Sequence, residues 1–256
     1  MTSSAPPVAH RYTYENMSKK IHPPFKTTRG KFHLASWIID HFPDKYEELT
    51  YIEPYSGSAS VLLNKKEGPS EALNDMDLGI IQIFRALRDE PRTFIGRLKR
   101  IKYCEETFRR MGKEPKKYKD YMEQAVKEIV RRRMSHGGLK QSFAHNDENA
   151  WNLMIEDLPR TAERVTKIHI FNKPAVETIH AFDGPDFLCY CDPPNEESEE
   201  MTIDDHIALA EVLRQYRGKA LVSGPSTKLY RRLYEEWKCA RKTSHGRKAE
   251  CLWMNY

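Results

Sequence analysis

Two rhythms of apolar residues alternate along the chain. Between residues 32 and 42, Leu34, Trp37, Ile38 and Phe42 recur at helical spacing, which predicts an amphipathic helix stopped by Pro43. Leu49, Thr50, Tyr51 and Ile52 form a β-prone run ending at Pro54, and a second short strand, Glu71-Ala72-Leu73-Asn74, ends at Asp75. Between them Tyr55-Ser56-Gly57-Ser58-Ala59-Ser60 is small and polar, and a helix-like stretch begins at Val61. Strand, small-residue turn, helix, strand and acid within about thirty residues is the order expected of a nucleotide-binding βαβ unit. Helical spacing then takes over: 80–88, 91–112, 117–134 and 149–165 read as helices, with a break at Gly137-Gly138. A strand returns at 167–172, a helix at 174–182, and the almost wholly apolar strand 187–191 ends at Asp192. Thr202 opens the next helix, with Asp205 three residues on as a capping-box partner. Strands at 220–223 and 251–255 follow. Strands and helices alternating at both ends predict a Rossmann-like α/β sheet with a helical insert between its halves. Residues 1–22 carry no periodic pattern and read as a tail.

Composition narrows the function classes. The chain has 256 residues, 39% hydrophobic and 31% charged, which suits a soluble globular protein. No apolar run approaches the roughly 20 residues that span a bilayer, and the first ten residues lack the basic start and apolar core of a signal peptide. The five cysteines are odd in number and show no paired zinc spacing, so they read as free thiols in a reducing cytosol, with no metal site. His136 and His206 likewise lack metal spacing and read as surface or capping residues. The net charge of +5 is mild, so its distribution matters more than its size.

Three stretches carry candidate chemistry. Glu53-Pro54-Tyr55-Ser56-Gly57-Ser58 follows a strand with small side chains that let a ligand approach the backbone, and the following helix would offer N–H groups; by itself it is equally an ordinary tight turn. Asp75, at the tip of the second strand, reads either as an acceptor for both hydroxyls of a ribose or as a helix N-cap. Asp192-Pro193-Pro194-Asn195 follows the apolar strand. Its prolines hold the backbone extended, which aims the Asp192 carboxylate and the Pro193 carbonyl, both acceptors, at one point; the alternative is loop punctuation. Arg131-Arg132-Arg133, Lys140 and the run Arg97-Leu98-Lys99-Arg100 are either solvated helix faces or phosphate contacts.

Taken in order, these pieces resemble the DNA adenine N6-methyltransferase family in which the cofactor motif precedes the catalytic motif. The matching residues are Gly30-Lys31, Glu53 to Ala59, Leu73-Asn74-Asp75-Met76-Asp77, Arg85-Ala86-Leu87-Arg88-Asp89, Tyr190-Cys191-Asp192-Pro193-Pro194, Met201-Thr202 with Asp205-His206, Leu221-Val222-Ser223-Gly224, and Glu250-Cys251-Leu252-Trp253-Met254-Asn255. The resemblance implies a methyltransferase domain made of 23–79 and 166–256 around a helical DNA target-recognition domain, 80–165. It implies S-adenosylmethionine held by Lys31, Glu53, Tyr55, Ser56, Gly57, Ser58, Asp75 and Asp192, and catalysis by Asp192, Pro193, Pro194 and Asn195. The partner implied is double-stranded DNA, contacted by Arg131, Arg132, Arg133 and Lys140, in a bacterial or phage-type cytoplasm at the nucleoid. The chain departs from the family pattern at Asn195, where an aromatic residue usually stands, at Thr27-Thr28-Arg29, at Pro225, and in the short connections 143–151 and 195–201. Those departures sit around the expected target base and leave a second expectation open, a relative that binds DNA, cofactor or protein without catalysis; an RNA or cytosine-N4 methylase is a third.

Overall fold

The computed structural model describes residues 20–27, 30–113, 120–243 and 249–256; the expected tail up to residue 19, positions 28–29 and the start of the 117–134 helix lie outside them. Seven strands form one sheet: β1 (Thr50–Glu53), β2 (Glu71–Asn74), β3 (His169–Phe171), β4 (Phe187–Cys191), β5 (Lys219–Pro225), β6 (Lys238–Lys242) and β7 (Glu250–Met254). Their order is β3-β2-β1-β4-β5-β7-β6. The first five run parallel, with Ile52 opposite both Ala72 and Cys189, and β7 runs antiparallel to β5 and β6. The chain leaves β1 in one direction to build β2 and β3, and returns beside it as β4. That reversal makes the carboxyl ends of β1 and β4 the topological switch point, the place where the ligand crevice lies in open α/β sheets.

The helices are α1 (Ala35–Ile39), α2 (Leu78–Asp89), α3 (Pro91–Lys99), α4 (Glu105–Gly112), α5 (Tyr121–Arg133), α6 (Glu148–Val165), α7 (Ala175–Ala181), α8 (Ile203–Gln215) and α9 (Lys228–Leu233). Two start on side-chain caps that matter for the site. Asp77 accepts from the backbone N–H of Gly79 and Ile80 and opens α2, and Thr202 with Asp205 forms the expected capping box of α8.

Period-two alternation sorts the strand residues onto two faces. Tyr51, Leu73, Leu188, Tyr190, Leu221 and Leu252 pack with Ile81, Phe84, Ile129 and Leu158 of α2, α5 and α6. Ile52, Ala72, Cys189, Cys191, Val222 and Trp253 pack with Ile179, Leu209, Leu213 and Tyr230 of α7, α8 and α9. Helices therefore cover both faces, as a parallel sheet requires. Among the described residues, helices α2 to α6 belong to the first of these cores.

Several expectations are corrected. The stretch from Val61 is a chain of turns: Ala59 has φ 53°, and after the bonds Leu63 N–H to Ala59 O and Lys65 N–H to Val61 O the chain meets Gly68 and Pro69 before a helix can lengthen. The expected helix 91–112 is two helices, α3 and α4, parted at 100–104. Strand β6 and helix α9 lacked a signal. In β6, Lys-Cys-Ala-Arg-Lys lies on the sheet edge with only Ala240 half-buried, so no apolar alternation marks it, and lysines suit an exposed edge. His206 is buried, not superficial, with its ring 5.4 Å from that of Tyr230. Among the described residues no helix is long and apolar enough to cross a membrane.

Candidate active site

The loop after β1 is held by its neighbours' backbone. Ser56 N–H donates to Asn74 O at 2.9 Å, and Asn74 Nδ2 donates to Pro54 O at 2.9 Å. Gly57 sits at φ 48°, a left-handed conformation that costs glycine little, and a Cβ there would meet open space. The backbone of this turn is thus approachable from the crevice. Asp75 closes the turn: its Oδ2 accepts from Gly57 N–H at 2.8 Å and its Oδ1 from Asp77 N–H at 2.9 Å. Asp77, not Asp75, is the helix cap. Burial raises the Asp75 carboxyl above the usual range, against the pull of those two N–H groups.

Beneath the loop lies Glu53, 3% exposed. Its Oε2 accepts from Tyr51 Oη at 3.0 Å and from Leu62 N–H at 3.1 Å. Burial pushes its carboxyl up to about 8, so at neutral pH Glu53 is largely protonated and its two acceptor bonds fall on a neutral acid. Tyr55 is half-buried, with burial pushing its phenol up. Ser58 and Ser60 hydroxyls pair at 3.0 Å. The Ser56 hydroxyl is buried without a partner, and such groups usually find one.

At the end of β4 the chain leaves the sheet through Asp192-Pro193-Pro194-Asn195, which belong to no helix or strand. Asp192 Oδ1 accepts from Ser223 Oγ at 2.7 Å, and Ser223 pairs with Tyr190 Oη at 2.9 Å. Lys31 Nζ lies 3.2 Å from the same Oδ1 and 2.7 Å from Glu250 Oε1. Burial works against the Lys31 ammonium, but Asp192 and Glu250 together outweigh it and raise its pKa; burial likewise raises Glu250 against the pull of Lys31. Ser223, Tyr190 and Glu250 were not singled out as site residues from sequence. The available signals were a serine closing a strand and an acid opening one, and neither stands out without its partner. Pro193 is buried, and Asn195 is half-buried at the start of a turn closed by Ser198 N–H to Asn195 O at 2.8 Å.

The arginines of α5, expected to contact phosphates, make bonds within the protein. Arg131 donates to Phe108 O at 3.2 Å and to Lys140 O, with its guanidinium 4.0 Å over the Phe108 ring. Arg132 donates to Glu128 Oε1 at 2.6 Å and to Asp77 Oδ2 at 2.5 Å, and is 7% exposed. Arg133 donates to Ala150 O at 2.7 Å, with its Nε buried. Lys140 Nζ joins Glu128 at 2.8 Å. These side chains brace the helical segment internally and fix Asp77 beside the Asp75 turn. Arg97, Lys99 and Arg100 at the end of α3, by contrast, are exposed. Among the described residues no group of three or more potential metal ligands is found.

No curated protein matches the sequence. Solved structures similar to the chain include the rRNA methyltransferase aviRa from Streptomyces viridochromogenes, 15% identical, with 96% of this chain and 94% of that one covered and a TM-score of 0.46. A conserved hypothetical protein from Streptococcus pyogenes is 10% identical, with 89% and 96% covered and a TM-score of 0.42. A family model described as D12 class N6 adenine-specific DNA methyltransferase matches residues 30–246, a span that takes in Lys31, the turn after β1, Asp75 and the Asp192 loop. The chain therefore belongs to the D12 class N6 adenine-specific DNA methyltransferase family, whose cofactor is S-adenosylmethionine.

Proposed function

We propose that the protein transfers a methyl group from S-adenosylmethionine to N6 of an adenine in DNA. The observation that carries this reading is the occupancy of Asp192. Its Oδ1 is committed to Ser223 and Lys31, so Oδ2 is the oxygen to accept from a substrate amino group, with the Pro193 carbonyl as a second acceptor. An exocyclic amine held by two acceptors turns its lone pair toward an electrophile. When bound, S-adenosylmethionine supplies that electrophile as a sulfonium methyl. The chain's own part is positioning and fixed electrostatics, with no covalent intermediate on the protein.

The turn after β1 fits the cofactor. The unpartnered Ser56 hydroxyl and the open approach at Gly57 suit its polar groups, and Asp75 supplies acceptors for a ribose at the price of weakening its grip on the turn. Lys31, Glu53, Tyr55 and Ser58 complete the proposed cofactor wall. The target adenine must leave the duplex, because its amino group is otherwise paired. DNA phosphates fall to the exposed Arg97, Lys99 and Arg100, with Lys140 at the margin, while Arg131, Arg132 and Arg133 keep their internal bonds. Such contacts set register without reading sequence.

Asn195 supports a second reading, that of a relative which binds without transferring. Its side chain offers hydrogen bonds and no π-face to a flipped base. A methyl-transfer assay on unmethylated DNA with labelled cofactor, followed by nucleoside analysis, separates the two. The expected product is N6-methyladenine, formed slowly. Protein that is folded and binds DNA yet transfers nothing overturns the enzyme reading in favour of the binding one.

A further inference from the structure

Lys31 is shared. Its ammonium stands between two carboxylates, and it is closer to Glu250, at 2.7 Å, than to Asp192, at 3.2 Å. All three side chains are sheltered, with exposures of 12% for Lys31, 21% for Asp192 and 19% for Glu250. Glu250 is placed there by the fold: it opens β7 opposite Pro225 of β5, two residues beyond Ser223, which bonds Asp192. Ser223 and Tyr190 add neutral hydrogen bonds and no charge. Glu53, with its carboxyl near 8, adds almost none at pH 7. Among the described residues, one ammonium against the two carboxylates it touches leaves a surplus of one negative charge in this triad, with Lys242, opposite Glu250 on β6, placed over the Trp37 ring.

We propose that Glu250 sets this surplus by holding Lys31 partly off Asp192, and that the surplus makes the site select the sulfonium cofactor over its demethylated thioether product. The inference rests on the family's S-adenosylmethionine dependence. With Asp192 alone, the ammonium would cancel the carboxylate and the crevice would offer no net attraction to a cation. With Glu250 competing for the same ammonium, Asp192 keeps negative charge toward the crevice. S-adenosylmethionine carries a full positive charge on sulfur, and S-adenosylhomocysteine carries none there. The two are otherwise alike apart from the methyl group, so a charge beside the sulfur acts on one and spares the other. In a sheltered cleft, opposite charges several ångströms apart interact far more strongly than in bulk water. Glu250 acts through Lys31 and is a positioning residue. Its function is to let product leave while cofactor stays.

The test is calorimetric titration of the full-length protein with S-adenosylmethionine and, separately, S-adenosylhomocysteine. Wild type, Glu250→Gln and Glu250→Asp are compared, with Glu250→Met as a second uncharged variant should the Gln protein fail to fold. The preference for S-adenosylmethionine over S-adenosylhomocysteine should fall about tenfold in Glu250→Gln, about 1.4 kcal/mol. The change should lie almost wholly in the S-adenosylmethionine constant, with S-adenosylhomocysteine held within about twofold. Glu250→Asp keeps the charge and should keep most of the preference. Equal weakening of both ligands, or no change in either, overturns the proposal, since a scaffold role would produce the first and no role the second. A folded wild type that binds neither ligand removes the cofactor reading beneath it, an outcome distinct from an unmoved ratio.

Discussion

The two ends of the crevice are built on different principles. At the carboxyl ends of β1 and β2 the site is made of backbone: Gly57 N–H, Asp77 N–H and Asn74 O fix a turn whose partners lie within about twenty residues of one another. Its buried acid, Glu53, is neutral at pH 7. At the ends of β4, β5 and β7 the site is made of charged side chains brought from far apart, with Lys31 and Glu250 separated by 219 residues in sequence. The first end is shaped to receive a ligand's hydrogen-bonding outline, and the second to hold charge in a fixed place. On the proposed function both ends bear on the cofactor, and the charged end also bears on transfer.

Mutations at the two ends should therefore fail differently. The largest effect is expected at the charged end. Asp192→Ala should cut methyl transfer by about 100-fold or more, the scale of removing one preorganised group from a site, while S-adenosylmethionine binding measured by calorimetry weakens only about tenfold, as losing one of the two carboxylates beside Lys31 requires. A parallel collapse of cofactor binding would erase the distinction between the ends. Next is Glu53, which tests the neutral end through stability. Its carboxyl ionises near its ordinary 4.5 in the unfolded chain and near 8 in the folded one. Across that window the folded protein keeps a proton that the unfolded chain has lost, so stability falls as pH rises and levels off above it. Glu53→Gln retains an acceptor for Tyr51 and Leu62 without this penalty. The variant should be more stable than wild type at pH 7 by on the order of 2–3 kcal/mol, with little difference at pH 4.5. Melting curves at pH 4.5, 6, 7 and 8 would show the gap opening; a gap that closes with rising pH contradicts a neutral Glu53.

Asp75→Ala should weaken S-adenosylmethionine binding by roughly 1.5–3 kcal/mol, the range for hydrogen bonds to a charged group, with the rate at saturating cofactor much less affected. A fall in that rate as large as the fall in affinity would assign Asp75 to the chemistry. The smallest expected change is a gain. A tyrosine at position 195 would supply the missing stacking surface, worth about 1–3 kcal/mol by the reverse substitution, and initial rates on the same DNA should rise roughly 5- to 150-fold. No rise would place the deficit in the wider pocket around Pro225 and the short connections, not in one ring.

The same contrast explains what could be read from the sequence. The turn after β1 and Asp75 were legible because local contacts leave local patterns: small residues after a strand, an acid after the next. The apolar strand 187–191 ended where its hydrophobic run ended, and the Thr202 cap announced α8. At the charged end Asp192 stood out by its place after the apolar strand and before two prolines, and Lys31 only through family resemblance, because a lysine's partners are set by how β7 lies against β5 and nothing near position 31 encodes that. The internal bonds of the α5 arginines are hidden for a related reason. A run of three basic residues looks alike whether it faces water or protein; the deciding residues are Asp77, Phe108 and Ala150, on other elements. Strand β6 was invisible because an exposed edge has no reason to alternate.

The continuity of the first core bears on how this protein could change its specificity over evolution. A recognition segment that closed on its own hydrophobic centre could be exchanged between relatives like a fitting, leaving the methyltransferase half intact. Here Tyr51, Leu73, Leu188 and Leu221 of the sheet are buried together with Phe84, Ile129 and Leu158 of the helices. Wholesale exchange of residues 80–165 would bare one whole side of the sheet. On the proposed function, changes of DNA specificity are expected to accumulate by surface substitution on a helical layer that stays in place.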